Sequence, residues 1–388
     1  MGRSRVWHAC PRHPHSGEEV VMSHRYPEWA YSAALAALPL QTPLRLRRLI
    51  GLDTSATVWE MLQAGERPLV GISDAVWRAW HGAGVSLLVS TAEACIDSSV
   101  TVVSMRDAPY PPSLLGDPSA PGVLFMIGDA GAIHNRRVGV IGTRHATQRG
   151  KYFAKILGTQ LSAAGISVVS GLARGIDVES HVGALSLSAQ EGTPPIAIVA
   201  SGLDAVYPPE HERIWGEMGR RGLLISESPP GTPPEAHRFP MRNRILAALS
   251  EVLVVVESRA TGGSMITVRE AMKRDITVLA VPGAPGIAPC EGTNNLLRDG
   301  CGPVTDVADV LVALGLDHRH MTDWCEGRPA LLGEERQVMT ALGRVPRSMD
   351  EIALSASMSV VHVAVILGRL EAKGWVANTN GWWEALVA

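Results

Sequence analysis

Glycine and arginine recur directly after short apolar runs in the centre of the chain. Glycine lets an anion approach the backbone, and arginine forms bidentate hydrogen bonds with phosphate. Helix N-termini add free N–H groups and the positive end of the helix dipole. Several such loops along one edge suit a phosphate chain better than a single nucleotide. The residues that carry this pattern are Gly142, Arg144, Gly171, Arg174, Arg242 and Arg244.

Signatures of common enzymes are missing from the sequence. It contains no GxxxxGK[ST] phosphate loop, no GxGxxG fingerprint and no GxSxG elbow, so ATP hydrolysis, standard dinucleotide binding and serine hydrolysis are not indicated. His181 is interpreted as structural. Glu227 and Glu257 follow strands and could form a catalytic pair, but we expect them to accept bonds from loop N–H groups or arginines. We expect a binding protein rather than an enzyme.

The composition limits the other classes. The chain has 388 residues and a net charge of −3, so any nucleic-acid site must be local. Between Arg136 and Asp177 there are seven Lys/Arg and one acid. The five cysteines are scattered without a CxxC pair, which predicts no zinc, no other metal and a reducing cytoplasm. The longest apolar runs, such as Val252–Val256, are too short to cross a bilayer.

The loops above must be positioned by the short β-branched runs that precede them. These runs alternate mostly with helical patterns, which predicts parallel βαβ units and an α/β, doubly wound sheet of Rossmann type over residues 136–315. The predicted strands are Val138–Ile141, Ile166–Ser170, Ile196–Ala200, Leu223–Ser226, Val252–Val256 and Ile276–Val281.

The flanking segments have different patterns. Residues 1–25 predict a disordered leader, 26–95 a helical domain, and 96–135 a Pro- and Gly-rich connector with one strand at Val123–Met126. Residues 316–330 predict a linker. Residues 331–388 contain three helical patterns and a strand-turn-strand, which predicts a winged-helix domain.

A resemblance to a known family rests on motifs spread over about 155 residues. They occur in the family's order, so the sequence resembles the DNA-processing protein A (DprA/Smf) family. The motifs are Val140–Arg144, Ser170–Asp177 with His181, Gly202–Asp204, Tyr207-Pro208, Ile225–Glu227, Phe239–Arg244, Gly262–Ser264, Val281–Gly283 and Gly292–Asn294.

The resemblance implies a function. The family's Rossmann domain binds single-stranded DNA without hydrolysing it, dimerises, and helps to load RecA in natural transformation, with no cofactor. The helical start and Tyr110-Pro111 resemble the family's sterile-alpha-motif-like domain. Three departures from the usual wording, at Thr143, at Gly263 with Met265, and at Cys290, remove no basic residue.

The resemblance also implies the DNA-binding residues. Arg144 and Arg174 are expected to contact phosphates. Phe239 either stacks on a base or anchors its loop in the core, and Ser264 either caps a helix or contacts a phosphate. The complete expected set is Gly142, Thr143, Arg144, Gly171, Arg174, Gly175, Arg238, Phe239, Arg242, Asn243, Arg244 and Ser264.

Two alternatives stay open. Thr261–Ser264 with Glu257 and Arg242 loosely resembles the site of nucleotide phosphoribohydrolases, which would make the chain an enzyme. The third helix of the tail has few basic side chains at its start, which favours a protein contact over duplex-DNA reading.

Overall fold

The computed structural model describes residues 25–316, 331–343 and 345–386. The predicted leader and linker therefore lie outside the described residues, apart from one residue each. The chain forms two compact units. The first comprises the chain up to Ile127 with segments 200–205 and 225–235, and the second comprises 128–199, 206–224 and the chain from Ala236.

The first unit begins with amphipathic helices. They are α1 (Glu28–Ala36), α2 (Pro43–Ile50), α3 (Ser55–Gln63), α4 (Asp74–His81) and α5 (Gly84–Asp97). The Glu28 carboxylate accepts hydrogen bonds from the backbone N–H groups of Ser55 and Ala56, so α1 holds the start of α3. The strands β1 (Thr101–Ser104) and β2 (Val123–Gly128) pair antiparallel on either side of the short helix α6 (Pro112–Leu115).

A parallel sheet forms the centre of the second unit. Its strands are β3 (Arg136–Ile141), β4 (Ile166–Ser170), β5 (Ile196–Ile198), β7 (Val252–Val255), β8 (Thr277–Ala280) and β9 (Gly302–Pro303), while β6 (Leu223–Ser226) follows β5 along the chain. The pairing order is β5-β4-β3-β7-β8-β9, and Val138 lies between Val168 and Val252. The chain reverses direction of growth at β3, which places a ligand crevice at the carboxyl ends there.

Helices alternate with these strands. They are α7 (Gln148–Ala163), α8 (Ile176–Ala184), α9 (Glu212–Arg221), α10 (Arg238–Leu249), α11 (Ser264–Met272), α12 (Glu291–Arg298) and α13 (Val307–Ala313). Val140 and Val254 of the sheet are buried in one cluster with Leu157 and Leu161 of α7. Full burial of each such side chain contributes about 1.5–3 kcal/mol, so this cluster fixes α7 on the sheet.

Two glycines let α7 approach α8 at backbone distance. A Cβ on Gly158 would lie 2.1 Å from the carbonyl oxygen of Ser180, and a Cβ on Gly183 would lie 1.9 Å from that of Lys155. Both distances are far shorter than any van der Waals contact. Glycine is therefore required at both positions for the observed packing.

The tail forms a winged helix. Helices α14 (Glu334–Leu342), α15 (Met349–Ala356) and α16 (Val360–Ala372) pack around Ile352 and Leu367. A small antiparallel sheet of order β10-β12-β11 completes it, with β10 (Arg347–Ser348), β11 (Val376–Thr379) and β12 (Trp382–Ala385). The predicted α/β fold with N-terminal helices and a C-terminal winged helix is confirmed.

One predicted segment is different. Residues 238–244 were expected to end a loop, but they form the first two turns of α10. Proline is tolerated in the first turn of a helix because its missing N–H has no partner there, so Pro240 does not break α10.

No single helix of the described residues is long and apolar enough to span a membrane. Helices α15 and α16 meet the length and composition test only together, across a bend of 106°.

Candidate nucleic-acid interface

The loops at the carboxyl ends of β3, β4 and β7 are joined by backbone hydrogen bonds. The N–H of Thr143 donates to the carbonyl of Glu257 over 2.7 Å, and the N–H of Ile176 donates to the carbonyl of Thr143 over 3.4 Å. These bonds hold the loop after β3 between its neighbours. We call residues 142–147, residues 171–175, Tyr207 and the segment Arg238–Arg244 the rim.

Glycines of the rim are required by close packing. Gly175 has a φ of 78°, and a Cβ there would lie 2.3 Å from the carbonyl oxygen of Thr143. A Cβ on Gly142 would lie 2.4 Å from the side chain of Ile176. These glycines therefore shape the loops, and the charged side chains between them supply the means to bind an anion.

Arg144 is the exposed cation at the centre of the rim. Its guanidinium carbon lies 5.1 Å from the centre of the Phe239 ring, within the range of a cation–π contact. The Tyr207 ring lies on Phe239 as well, with centroids 5.4 Å apart and planes tilted by 53°. In the part of the chain that the structure describes, no acidic side chain forms an ion pair with Arg144.

Arg174 also lies on the rim, but it has an acidic partner. Its Nε donates to the Glu210 carboxylate, and both side chains are half exposed. An exposed ion pair of this kind contributes about 0–1 kcal/mol. A phosphate can therefore displace Glu210 at little cost.

Arg242 lies beneath the rim, with only 5% of its surface exposed. Its guanidinium donates to the carbonyl of Ile198, and a Cβ on Gly171 would lie 2.2 Å from it. The N–H of Gly171 donates to the buried Asp177 carboxylate over 3.2 Å. Burial raises the pKa of Asp177 to about 6, while nearby Arg242 opposes that shift. The predicted contact between Arg242 and DNA is therefore not one that its guanidinium can make directly.

His181 is completely buried on α8. Among the described residues, neither ring nitrogen has a hydrogen-bond partner of regular geometry, although the Ser170 backbone lies near. Burial lowers the pKa of His181 to about 3. The ring is thus neutral near pH 7 and out of reach of any solute, which agrees with a structural role.

Glu257 is occupied by the start of α7. Its carboxylate accepts from the backbone N–H of Thr147 over 2.9 Å and from the Thr147 hydroxyl over 2.6 Å. Burial raises the pKa of Glu257, and the bonds to Thr147 lower it. The carboxylate is 6% exposed as a residue and serves as a helix cap, so the geometry does not favour the phosphoribohydrolase alternative.

The remaining expected residues lie near the rim with more ordinary roles. Arg238, Asn243 and Arg244 are half-buried on α10. The Ser264 hydroxyl lies 2.7 Å from that of Ser258 at the start of α11. Sequence reasoning quoted Tyr207 only as part of a family motif, although an aromatic residue directly before a proline after β5 was a signal for the site.

Comparisons with known proteins agree with one another. The family described as DNA recombination-mediator protein A matches residues 101–315, and the DprA winged helix domain matches residues 327–381. Protein Smf of Escherichia coli K12 is 32% identical over 281 residues, which cover 70% of this chain and 74% of Smf. The putative DNA processing protein DprA of Mycobacterium tuberculosis H37Rv is 36% identical over 277 residues, 69% of this chain and 70% of the relative.

A solved structure is similar as well. The X-ray structure of DNA processing protein A from Streptococcus pneumoniae superposes with a TM-score of 0.63 at 27% sequence identity. The match covers 74% of this chain and 98% of that chain.

Proposed function

This chain belongs to the DNA recombination-mediator protein A family, and we propose that it binds single-stranded DNA along the rim and passes the strand to RecA. The observation that carries the proposal is the exposed Arg144 guanidinium over Phe239, without an acidic partner among the described residues. A cation beside aromatic rings suits a single strand, because phosphates bind the cation and unpaired bases stack on the rings.

The role of each rim residue follows from its placement. Arg144 and Arg174 contact phosphates, and the backbone of Gly142, Thr143, Gly171 and Gly175 lets the strand approach. Phe239 and Tyr207 offer ring faces to bases. Arg242 supports the loop at Gly171 from below. Arg238, Asn243, Arg244 and Ser264 border the groove. No catalytic step, cofactor or metal belongs to this function.

The wider setting is proposed from the family alone. The protein acts in the cytoplasm as a homodimer, protects DNA taken up in natural transformation, and loads RecA onto it. Sedimentation of the full chain tests the dimer. The winged helix makes an accessory or protein contact rather than reading duplex DNA.

A mobility-shift comparison tests the central claim. The full chain is titrated against single-stranded and double-stranded oligonucleotides of one sequence, and RecA is then added to the single-stranded complex. We expect preferential binding of the single strand and faster RecA assembly than on DNA covered by a single-strand-binding protein. Equal affinity for both DNA forms would contradict the proposal. Release of base from a nucleoside monophosphate would instead support the enzyme.

A further inference from the structure

The hairpin of the winged helix, residues 376–386, lies against the helix that leaves the rim. Strand β11 packs against α7. On β12, an Oε of Glu384 lies 3.7 Å from an Nη of Arg149, in the first turn of α7. The Glu384 side chain is 17% exposed, whereas Arg149 is 59% exposed. The hairpin thus turns its carboxylate inward, towards α7.

The charges of the two surfaces are complementary. Helix α7 carries Arg149, Lys151 and Lys155 and no acidic residue. In residues 376–386 the sole ionisable side chain is Glu384. A hairpin that bound a nucleic-acid backbone would be expected to present cations. This one instead presents a single anion to a basic helix, as a phosphate would.

The contact lies beside the rim. Arg149 follows Arg144 by five residues, and the loop between them ends at Thr147, the N-cap of α7. A strand whose phosphates lie on Arg144 and continue along the start of α7 would meet Glu384 at Arg149. The positive end of the α7 dipole favours either anion there.

The contact is also weakly held. Arg149 is mostly exposed, so water and salt screen the ion pair. Glu384 lies close enough to Glu257 for its charge to add to the burial that raises the pKa of Glu257. Two carboxylates therefore share one cationic end, and this repulsion favours release of the hairpin once another anion occupies Arg149.

We propose that the hairpin 376–386 is an autoinhibitory cover, in which Glu384 occupies Arg149 until the phosphate backbone of single-stranded DNA displaces it. This inference rests on the proposed function, because the competing anion is the strand that the rim binds. It gives the winged helix a regulatory role within the chain.

The experiment measures affinity for a fluorescent oligothymidylate by anisotropy, with four full-length variants. Glu384→Gln removes the competing charge and should tighten binding by about two- to fivefold, the range expected when one surface ion pair is lost. Glu371→Gln, which removes an exposed charge from α16, is the matched control and should bind like the wild type. Arg149→Ala should weaken binding, and adding Glu384→Gln to it should change nothing further.

Hydrogen exchange on the free protein supplies an independent readout. Glu384→Gln, but not Glu371→Gln, should speed amide exchange in residues 376–386 and at the start of α7. If the wild type binds the strand but Glu384→Gln changes neither affinity nor exchange, the cover is refuted and the proposed function stands. If exchange responds but the wild type binds no strand, the proposed function fails, and the competition fails with it.

Discussion

The guanidinium of Arg144 lies over the ring of Phe239, 5.1 Å from its centre. The two residues are 95 positions apart, and the contact joins the loop after β3 to the first turn of α10. Arginine has five N–H donors at the edge of a planar group, so a ring against its face leaves those donors available for phosphate. The contact therefore positions the cation without neutralising it.

Loss of both rim arginines should weaken binding for every DNA sequence alike. We expect Arg144→Ala with Arg174→Ala to lower affinity and to reduce the salt dependence by about 1.4 in slope, since each lost phosphate contact on a single strand removes about 0.7. Anisotropy titrations at several salt concentrations measure both quantities. Lys273→Ala with Arg298→Ala, at the ends of α11 and α12, is the control. Unchanged affinity in the Arg144/Arg174 variant would reject the site.

Removing the acidic partner of Arg174 should have the opposite effect. Glu210→Gln frees the guanidinium from its exposed ion pair, so affinity for single-stranded DNA should rise by about two- to fivefold, in line with the small strength of such pairs. The matched control is Glu212→Gln, which removes a charge two residues away that does not contact Arg174. Weaker binding by Glu210→Gln would mean that the ion pair positions Arg174 for DNA.

Much of the fold was predictable because the strands are continuous apolar runs between glycine-rich turns. The ranges Ile166–Ser170 and Leu223–Ser226 agree with the structure residue for residue. The start of α10 was missed because Pro240 resembles a loop residue, and only a helix whose first turn contains it resolves the ambiguity.

The site was predictable in membership but not in depth. Arg144 and Arg242 look alike in the sequence, yet one is exposed and the other is 5% exposed. The difference depends on Asp177 and Gly171, which lie in another loop, so tertiary packing decides it. The contact between Glu384 and Arg149 was invisible for the same reason, since 235 positions separate them.

The Phe239 ring can be tested for base stacking. Phe239→Leu keeps an apolar side chain of similar size and removes the aromatic face, so binding should weaken by about 1–3 kcal/mol, the usual value for one stacked base. Anisotropy measures the affinity, and thermal unfolding checks that the variant is folded. If stability falls while affinity is unchanged, Phe239 anchors its segment in the core and does not stack on DNA.

The close contact of α7 and α8 makes a stability prediction. Gly183→Ala places a Cβ against the Lys155 carbonyl, so the helices must separate, and we expect a loss of about 1–3 kcal/mol. Gly216→Ala in α9 is the control, because its Cβ would meet only the far end of the Arg220 side chain, 3.3 Å away. There the better helix propensity of alanine should leave stability equal or higher. Chemical unfolding compares the two, and equal values would refute the close approach.

His181 should make the protein sensitive to acid. Its pKa is about 3 in the folded protein, against an ordinary value of 6.5, so only the unfolded chain takes up this proton between those values. Its contribution to stability is therefore complete above pH 6.5 and falls as the pH drops towards 3, by about 1.4 kcal/mol per pH unit.

His181→Gln removes this titration and keeps Asp177, whose raised pKa has the opposite effect in both proteins. The difference in unfolding free energy between variant and wild type should therefore shift by about 2 kcal/mol in favour of the variant from pH 6.5 to pH 5. Urea unfolding at both pH values measures that difference directly. A difference that is the same at both pH values would show that the imidazole gains a proton in the folded protein and is not held neutral by burial.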